Sequence, residues 1–228
     1  MVSDEYVFIP FKKKGKITGL ISVPDGFQPG MKPGVILAHG AGNDMFNPLL
    51  SHMAHVLEQA GYICLRFNFP YRDRGRKSPD SEDVLSAAWV SVFEYLKSHP
   101  QCSPSAIVIG GKSLGGRIAS QVVASGLVDA AGLIFLGYPL HAPGKKEFLR
   151  DAHFSRITVP MLFFAGTRDP FCDIDALKRV LSKLSAPCTL EIIEGGEHSF
   201  KMPSSSDMSE EEVHARILGK ALSWLHDL

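Results

Sequence analysis

The sequence predicts an α/β fold in which a mostly parallel sheet carries helices on both faces. Short apolar runs alternate along the chain with longer stretches whose apolar residues recur at helical spacing. Strands that alternate with helices pair in parallel through right-handed crossovers, which place the helices on both sides of the sheet. With 228 residues, 45% of them hydrophobic, the chain can bury a large core, and we expect a single domain over residues 1–228.

About eight strands are predicted from apolar runs bounded by glycine, proline or polar residues. The first two flank the basic turn at residues 12–16 and form an opening hairpin. The remaining runs are short and strongly apolar, as expected for strands buried on both faces. The predicted strands cover residues 6–9, 17–23, 34–38, 62–67, 106–109, 131–136, 160–165 and 189–193.

Capping residues and apolar periodicity predict the helices. Asn47 before a proline opens a helix that ends just before Gly61, and Asp173 is the N-cap of a later one. Ser209 and Glu212 form a capping box that opens the C-terminal helix. Two further helices are predicted after Ser78-Pro79 and after residue 113, whereas residues 68–77 are predicted as a loop.

Composition limits the possible partners. Lys plus Arg and Asp plus Glu both number 24, so no global charge attracts nucleic acid or an anionic membrane, and neither partner is expected. The four cysteines show no C-x-x-C spacing, and the N-terminal residues lack the features of a signal peptide. We therefore expect a cytoplasmic protein that acts on a small molecule; the sequence does not specify an oligomeric state.

The motif Gly111-x-Ser113-x-Gly115 lies between a predicted strand and a predicted helix. This arrangement is typical of a nucleophile elbow, in which a sharp turn exposes the serine hydroxyl at a helix N-terminus. Small residues are needed at Gly111 and Gly115, because the turn brings the strand and helix backbones together and a Cβ would collide there. The motif alone also fits a glycine-rich turn with a capping serine.

Two further loops carry residues that complete a catalytic set. Asp169 follows the strand at 160–165, and His198 follows the strand at 189–193. Functional groups gather at the carboxyl ends of parallel strands, so these residues are expected near Ser113. A serine hydroxyl needs a base to take its proton, and the base needs a carboxylate to orient it. The order Ser, Asp, His predicts Ser113 as nucleophile, Asp169 as acid and His198 as base.

Other residues compete for these roles. Asp169 precedes a proline and could simply start a turn, in which case Asp173 or Asp175 is the acid. His141 and His153 are the alternatives to His198 as base.

Stabilising the oxyanion requires donors that are fixed before the reaction. The backbone N–H groups of Leu114 and of Ala41, in the His39-Gly-Ala-Gly42 loop, are predicted to supply them, with His39 orienting that loop. Such a mechanism needs neither a metal nor an organic cofactor, and none is expected.

Several sequence segments resemble those of the α/β-hydrolase superfamily, and most closely those of its small dienelactone-hydrolase-like members. They are HGAGNDMFNP, LRFNFPYRDRGRKSPD, GGKSLGGR, LGYPLHAPGK and GTRDPF. They are similar to a narrower branch with bacterial proteins, a testis-expressed vertebrate protein and a domain in a subunit of a chromatin acetyltransferase complex. The resemblance implies an eight-stranded, mostly parallel sheet with Ser113, Asp169 and His198 as its triad. Dienelactone hydrolases proper use a cysteine nucleophile, so Ser113 gives no reason to expect a lactone substrate.

Only residues 138–159 separate two strands where many lipases carry a cap, so we expect no large cap domain and an open site. The sequence thus favours a serine hydrolase, in particular a carboxylic-ester hydrolase that forms an acyl-enzyme with small or exposed acyl substrates. The alternative is a non-catalytic binding or scaffold protein with the same fold.

Two further features near the site are open to a functional or an ordinary interpretation. Arg72, Arg74, Arg76 and Lys112 could bind an acidic substrate group or belong to a solvated loop. Cys172, close to Asp169, could make the site sensitive to oxidation or be a packed thiol.

Overall fold

The structure is a computed structural model that describes residues 4–11 and 15–228, and the turn predicted at 12–16 lies mostly outside them. Its eight strands form one sheet in the order β1-β2-β4-β3-β5-β6-β7-β8. β1 and β2 pair antiparallel, β2 pairs antiparallel with β4, and all other pairs are parallel, which confirms the predicted fold class. The strands are β1 (Asp4–Phe11), β2 (Gly15–Ser22), β3 (Gly34–Ala38), β4 (Ile63–Phe67), β5 (Ile107–Lys112), β6 (Gly132–Leu136), β7 (Met161–Gly166) and β8 (Cys188–Ile193).

The predicted caps hold the helix ends. The Asn47 side chain accepts from the Leu50 N–H, the Asp173 side chain accepts from the Ala176 N–H, and the Ser209 capping box is complete. The helices are α1 (Pro48–Gln59), α2 (Pro70–Asp73), α3 (Glu82–Lys97), α4 (Leu114–Ala124), α5 (Ile174–Leu181) and α6 (Glu210–His226), with a 3-10 helix at Phe154–Arg156.

Two helix boundaries differ from the sequence-based expectation. The segment predicted as a loop at 68–77 contains α2, a single turn that begins at Pro70, where the fixed φ of proline favours a first helical position. One turn is too short to show apolar periodicity, so the pattern could not reveal it. α3 begins at Glu82, later than Pro79, with Ser81 as N-cap and acidic residues in its first turn.

Helices cover both faces of the sheet, as predicted. α1 and α6 bury their apolar sides against one face, and α3, α4 and α5 bury theirs against the other. Parallel pairing brings the carboxyl ends of β5, β6, β7 and β8 to the same edge of the sheet. Loops that follow these strands therefore lie side by side.

The segment between β6 and β7 packs against the domain and forms no large cap. The rings of Tyr138 and Phe154 are buried, and the Tyr138 hydroxyl donates to the Arg150 carbonyl at 2.7 Å. Arg156 Nε donates to the last carbonyl of α4, that of Ala124, at 3.2 Å. None of the helices in the described part of the chain is both long and apolar enough to cross a membrane.

The connection from β5 to α4 passes unusually close to β3. A Cβ on Gly111 would lie 2.0 Å from the Ala38 carbonyl oxygen, and one on Gly115 would lie 2.3 Å from the same atom. Both distances are far below van der Waals contact, and the atom they meet is backbone that cannot move aside. Between the two glycines, Ser113 adopts φ 48°, a left-handed conformation that costs a non-glycine residue free energy.

We expect Gly115→Ala to lower the free energy of unfolding by about 3 kcal/mol, because its methyl group would push α4 away from β3. Gly219→Ala is the matched control, since Gly219 lies in α6 and a Cβ there meets no atom within 4 Å. That variant should be more stable than the natural protein by about 0.5–1 kcal/mol. Urea denaturation measures both values, and equal stability of the two variants would contradict the close approach of β3 and α4.

Candidate active site

Ser113 lies at the carboxyl edge of the sheet, between the end of β5 and the first residue of α4. Its side chain is partly exposed, and its strained backbone is the sharp turn that the motif predicts. The hydroxyl is thus presented to solvent at a helix N-terminus, where negative charge is favoured.

The structure brings Ser113, His198 and Asp169 together in one hydrogen-bonded chain. His198 Nδ1 lies 2.7 Å from Asp169 Oδ2, and His198 Nε2 lies 2.8 Å from Ser113 Oγ. Because an ionised carboxylate only accepts, Nδ1 carries the proton and donates it to Asp169. Nε2 is then left to accept a hydrogen bond from the Ser113 hydroxyl.

Two contacts hold Asp169 and His198 in place. The Asp169 side chain has no exposed surface, and its Oδ1 accepts from the Phe171 N–H at 2.8 Å. The Phe171 ring lies 4.6 Å from the imidazole of His198, measured between centroids. His198 therefore has one ring nitrogen bonded to a buried carboxylate and one face against an aromatic ring.

The alternative acids have other partners. Asp173 is the N-cap of α5, accepting from the Ala176 N–H at 2.9 Å, and also pairs with Lys146 at 2.6 Å. These bonds hold the pKa of Asp173 below its usual range, with the Lys146 bond the largest cause. Asp175 is an exposed residue in the first turn of α5.

The alternative bases also lie elsewhere. His141 Nε2 accepts from the Asp173 N–H at 2.9 Å, so this nitrogen has no lone pair for a serine hydroxyl. His153 Nε2 lies 2.7 Å from the hydroxyl of Ser120, a residue of α4 with no exposed surface. Of the three histidines considered, His198 is the one that contacts Ser113.

Backbone N–H groups next to Ser113 are the candidate oxyanion donors. Leu114 is the first residue of α4, so its N–H has no partner within the helix. The Gly40 carbonyl accepts from Asn43 N–H at 3.3 Å, and the described peptide bonds are all trans. The Ala41 N–H belongs to the same peptide as this carbonyl and points the opposite way, so fixing the carbonyl also fixes the N–H.

The His39 side chain is bonded to the Gly40 carbonyl of this loop. Its Nε2 accepts from the Phe69 N–H at 3.1 Å, so Nδ1 carries the proton and donates to the Gly40 carbonyl at 2.8 Å. Burial of the imidazole lowers the pKa of His39 to about 4. The ring is therefore neutral near pH 7, which preserves one accepting and one donating nitrogen.

The basic residues considered as substrate ligands are engaged within the protein. Arg72 pairs with Asp44 at 3.1 Å, and both Arg74 and Arg76 pair with Asp80. Lys112 is buried and donates to the main-chain carbonyl of His198 at 2.6 Å.

Cys172 is a packed thiol, which removes the reason to expect sensitivity to oxidation. Its side chain is buried, and burial, reinforced by the charges of Asp169 and Asp173, raises its pKa to about 12. The reactive thiolate is thus absent near neutral pH.

Two contacts of the site had only a weak signal in the sequence, or none. Lys112 is the one charged residue in an otherwise apolar strand, which marks it as unusual but names no partner. Nothing in the sequence indicates that Phe171 packs against His198.

Across residues 4–11 and 15–228, no group of three or more His, Cys, Asp and Glu side chains is arranged to hold a metal ion.

A model of the alpha/beta hydrolase domain family matches residues 31–226. Among solved structures, a dienelactone hydrolase from Anabaena variabilis superposes with a TM-score of 0.74 at 20% identity, covering 99% of this chain and 98% of that one. A serine hydrolase without a lid from Xanthomonas campestris gives a TM-score of 0.72 at 19% identity, covering 97% and 95%.

A curated relative from Mycobacterium tuberculosis carries the provisional name of a phosphoribosyl transferase. It is 23% identical over 193 residues, which are 83% of this chain and 40% of the relative. The chain therefore spans well under half of that relative's length.

The lowered pKa of His39 predicts acid sensitivity of the fold. Unfolded His39 binds a proton below its ordinary pKa of 6.5, whereas the folded imidazole stays neutral down to about 4, so stability falls as the pH falls through this window. Between about pH 6 and pH 5, His39→Asn should reduce the slope of unfolding free energy against pH by about 1 kcal/mol per pH unit. Urea denaturation at several pH values measures both slopes, and equal slopes would contradict a buried neutral His39.

Proposed function

Because the chain belongs to the alpha/beta hydrolase domain family, we propose that it is a serine hydrolase that cleaves carboxylic esters through an acyl-enzyme on Ser113. The observation that carries the proposal is the chain of hydrogen bonds from Asp169 through His198 to Ser113. These distances are those at which a proton can pass from a hydroxyl to an imidazole as the hydroxyl oxygen attacks.

In the first half of the reaction, Ser113 Oγ attacks the ester carbonyl carbon while its proton passes to His198 Nε2. The imidazolium that forms is stabilised by the carboxylate of Asp169. The carbonyl oxygen becomes an oxyanion, for which the N–H groups of Leu114 and Ala41 are the proposed donors. Collapse of this intermediate breaks the bond to the alkoxy group, which leaves as an alcohol with the proton from Nε2.

In the second half, water attacks the acyl carbon of the acyl-enzyme and gives one proton to Nε2 of His198. The second tetrahedral intermediate collapses, the bond to Ser113 Oγ breaks, and the proton returns to that oxygen. The carboxylic acid is released and the enzyme is restored. No external oxidant, reductant or metal enters this balance.

The open edge of the sheet supports small or exposed acyl substrates. Residues 138–159 pack against the fold through the buried rings of Tyr138 and Phe154. The Xanthomonas campestris neighbour is likewise a serine hydrolase without a lid. The transferase name of the mycobacterial relative does not extend to this chain. The chain spans 40% of that protein, and Ser113, His198 and Asp169 are suited to acyl transfer.

An active-site fluorophosphonate tests the nucleophile, because it reacts with an activated serine hydroxyl and not with an ordinary one. We expect labelling of the folded natural protein and none of Ser113→Ala, as measured by intact-protein mass spectrometry. Ser120→Ala is the matched control, since Ser120 also contacts a histidine but is fully buried. That variant should be labelled like the natural protein.

Labelling that survives in Ser113→Ala would refute Ser113 as nucleophile. An unlabelled natural protein that also fails to hydrolyse short p-nitrophenyl esters, and that captures a stoichiometric partner, would favour the alternative of a binding or scaffold protein.

A pair of aspartate substitutions tests the acid. Asp169→Asn should lower kcat by about 10³- to 10⁴-fold, because an amide neither stabilises the imidazolium nor selects the correct tautomer. Asp173→Asn should keep kcat within about threefold, since its carboxylate caps α5 and asparagine is an equally good N-cap. Hydrolysis of p-nitrophenyl butyrate measures both, and similar losses in the two variants would remove Asp169 from its role.

A further inference from the structure

Lys112 is a lysine with a buried ammonium group next to the nucleophile. It is the last residue of β5 and is 7% exposed, and a methyl group on Gly40 would lie 3.6 Å from its Cγ. Burial lowers the pKa of Lys112 to about 8, with the charge of Asp169 acting in the opposite direction. An ammonium is rarely retained inside a protein unless it has polar partners, so the contacts of this one indicate its role.

The main partner of the Lys112 ammonium is the backbone of the catalytic base. Nζ donates to the His198 carbonyl at 2.6 Å, and it lies 5.7 Å from the centroid of the Phe200 ring. A charged donor makes a stronger hydrogen bond than a neutral one, and the Lys112 side chain is largely removed from water. Lys112 thus joins the strand that immediately precedes Ser113 directly to the turn that carries His198.

The His198 turn has little room to move once this bond is made. Phe200 N–H donates to the Glu197 carbonyl at 2.8 Å, and Phe200 has a buried side chain and a left-handed φ of 62°. A Cβ on Gly137 would lie 2.9 Å from the His198 carbonyl oxygen, so that oxygen is close to both Gly137 and the Lys112 ammonium. Without the ammonium, the carbonyl would lose a charged donor and the turn could shift.

We propose that Lys112 is a positioning residue: it ties the turn of His198 to the strand of Ser113 and thereby sets the distance between base and nucleophile. The inference rests on the proposed roles of Ser113 and His198. A displacement of about 1 Å in such a pair costs about 100-fold in rate, because the proton transfer depends on the hydrogen-bond geometry. The ammonium is buried and already bonded, which argues against a role in binding substrate.

The test replaces Lys112 by methionine, which keeps most of the length of the unbranched side chain but removes the donor and the charge. We expect kcat for p-nitrophenyl butyrate to fall by about 10- to 100-fold with KM within about threefold, because the positioned proton transfer is lost and the substrate surface is kept. The melting temperature should change little, because the lost hydrogen bond and the removed cost of burying a charge act in opposite directions. Lys112→Arg, which retains a charged donor, should keep a higher kcat than Lys112→Met.

Lys32→Met is the matched control. Lys32 also donates to a main-chain carbonyl, that of Ala60 at 2.8 Å, and lies 4.9 Å from an aromatic ring, that of Tyr62, but it is remote from Ser113. This variant should keep kcat within about twofold. The inference would be overturned if folded Lys112→Met keeps the kcat of the natural protein. It would also be overturned if Lys112→Met and Lys112→Arg lose the same amount of kcat.

A second measurement is independent of catalysis. The proton on His198 Nδ1, hydrogen-bonded to Asp169, should give a low-field NMR resonance that is identified by its loss in His198→Gln. In Lys112→Met this resonance should broaden or shift, and in Lys32→Met it should not. An unchanged resonance in Lys112→Met would refute positioning by Lys112. If the resonance shifts but the fluorophosphonate fails to label Ser113 in the natural protein, the proposed function alone is refuted.

Discussion

The close approach of three backbone segments at Ala38 is the constraint on which the site depends. The Ala38 carbonyl would lie about 2 Å from a Cβ at either Gly111 or Gly115, so β3, β5 and the start of α4 fit together only because both positions lack one. This packing forces the chain through the strained conformation of Ser113 and leaves its hydroxyl at the edge of the sheet. The same approach brings the loop that follows β3 next to Ser113, which is where the proposed mechanism places an oxyanion donor.

A second constraint is that each polar group buried at this edge needs a partner. The buried carboxylate of Asp169 accepts from His198 and from the Phe171 N–H, and the buried imidazole of His39 has both nitrogens bonded. Because each of these side chains is bonded at two atoms to fixed partners, it has one orientation and one protonation pattern. Burial is unfavourable for an unpaired polar group, but in a fully bonded network it fixes the positions of these side chains.

Much of this arrangement could be predicted from the sequence, because the evidence is local. Strand and helix periods, the caps at Asn47 and Asp173, and the glycines around Ser113 each reflect the chemistry of neighbouring residues. The grouping of Ser113, Asp169 and His198 could be predicted because parallel strands end at one edge. Contacts that depend on side-chain packing across loops could not, and the bond from Lys112 to the His198 carbonyl is of that kind.

A second serine–histidine pair, Ser120 and His153, lacks the features on which the proposed role of Ser113 and His198 depends. Ser120 lies inside α4, has no exposed surface and donates to the Arg117 carbonyl at 2.7 Å. Burial, helped by the charges of Arg156 and Arg117, lowers the pKa of His153 to about 4, so this imidazole is a poor acceptor of a proton at neutral pH. His198 differs because its Nδ1 is bonded to a carboxylate that can stabilise the imidazolium, and Ser113 differs because a strained turn places its hydroxyl at the surface. A reactive pair therefore requires both an acid behind the base and a backbone that presents the nucleophile, and the fold brings these two features together at the carboxyl edge of the sheet.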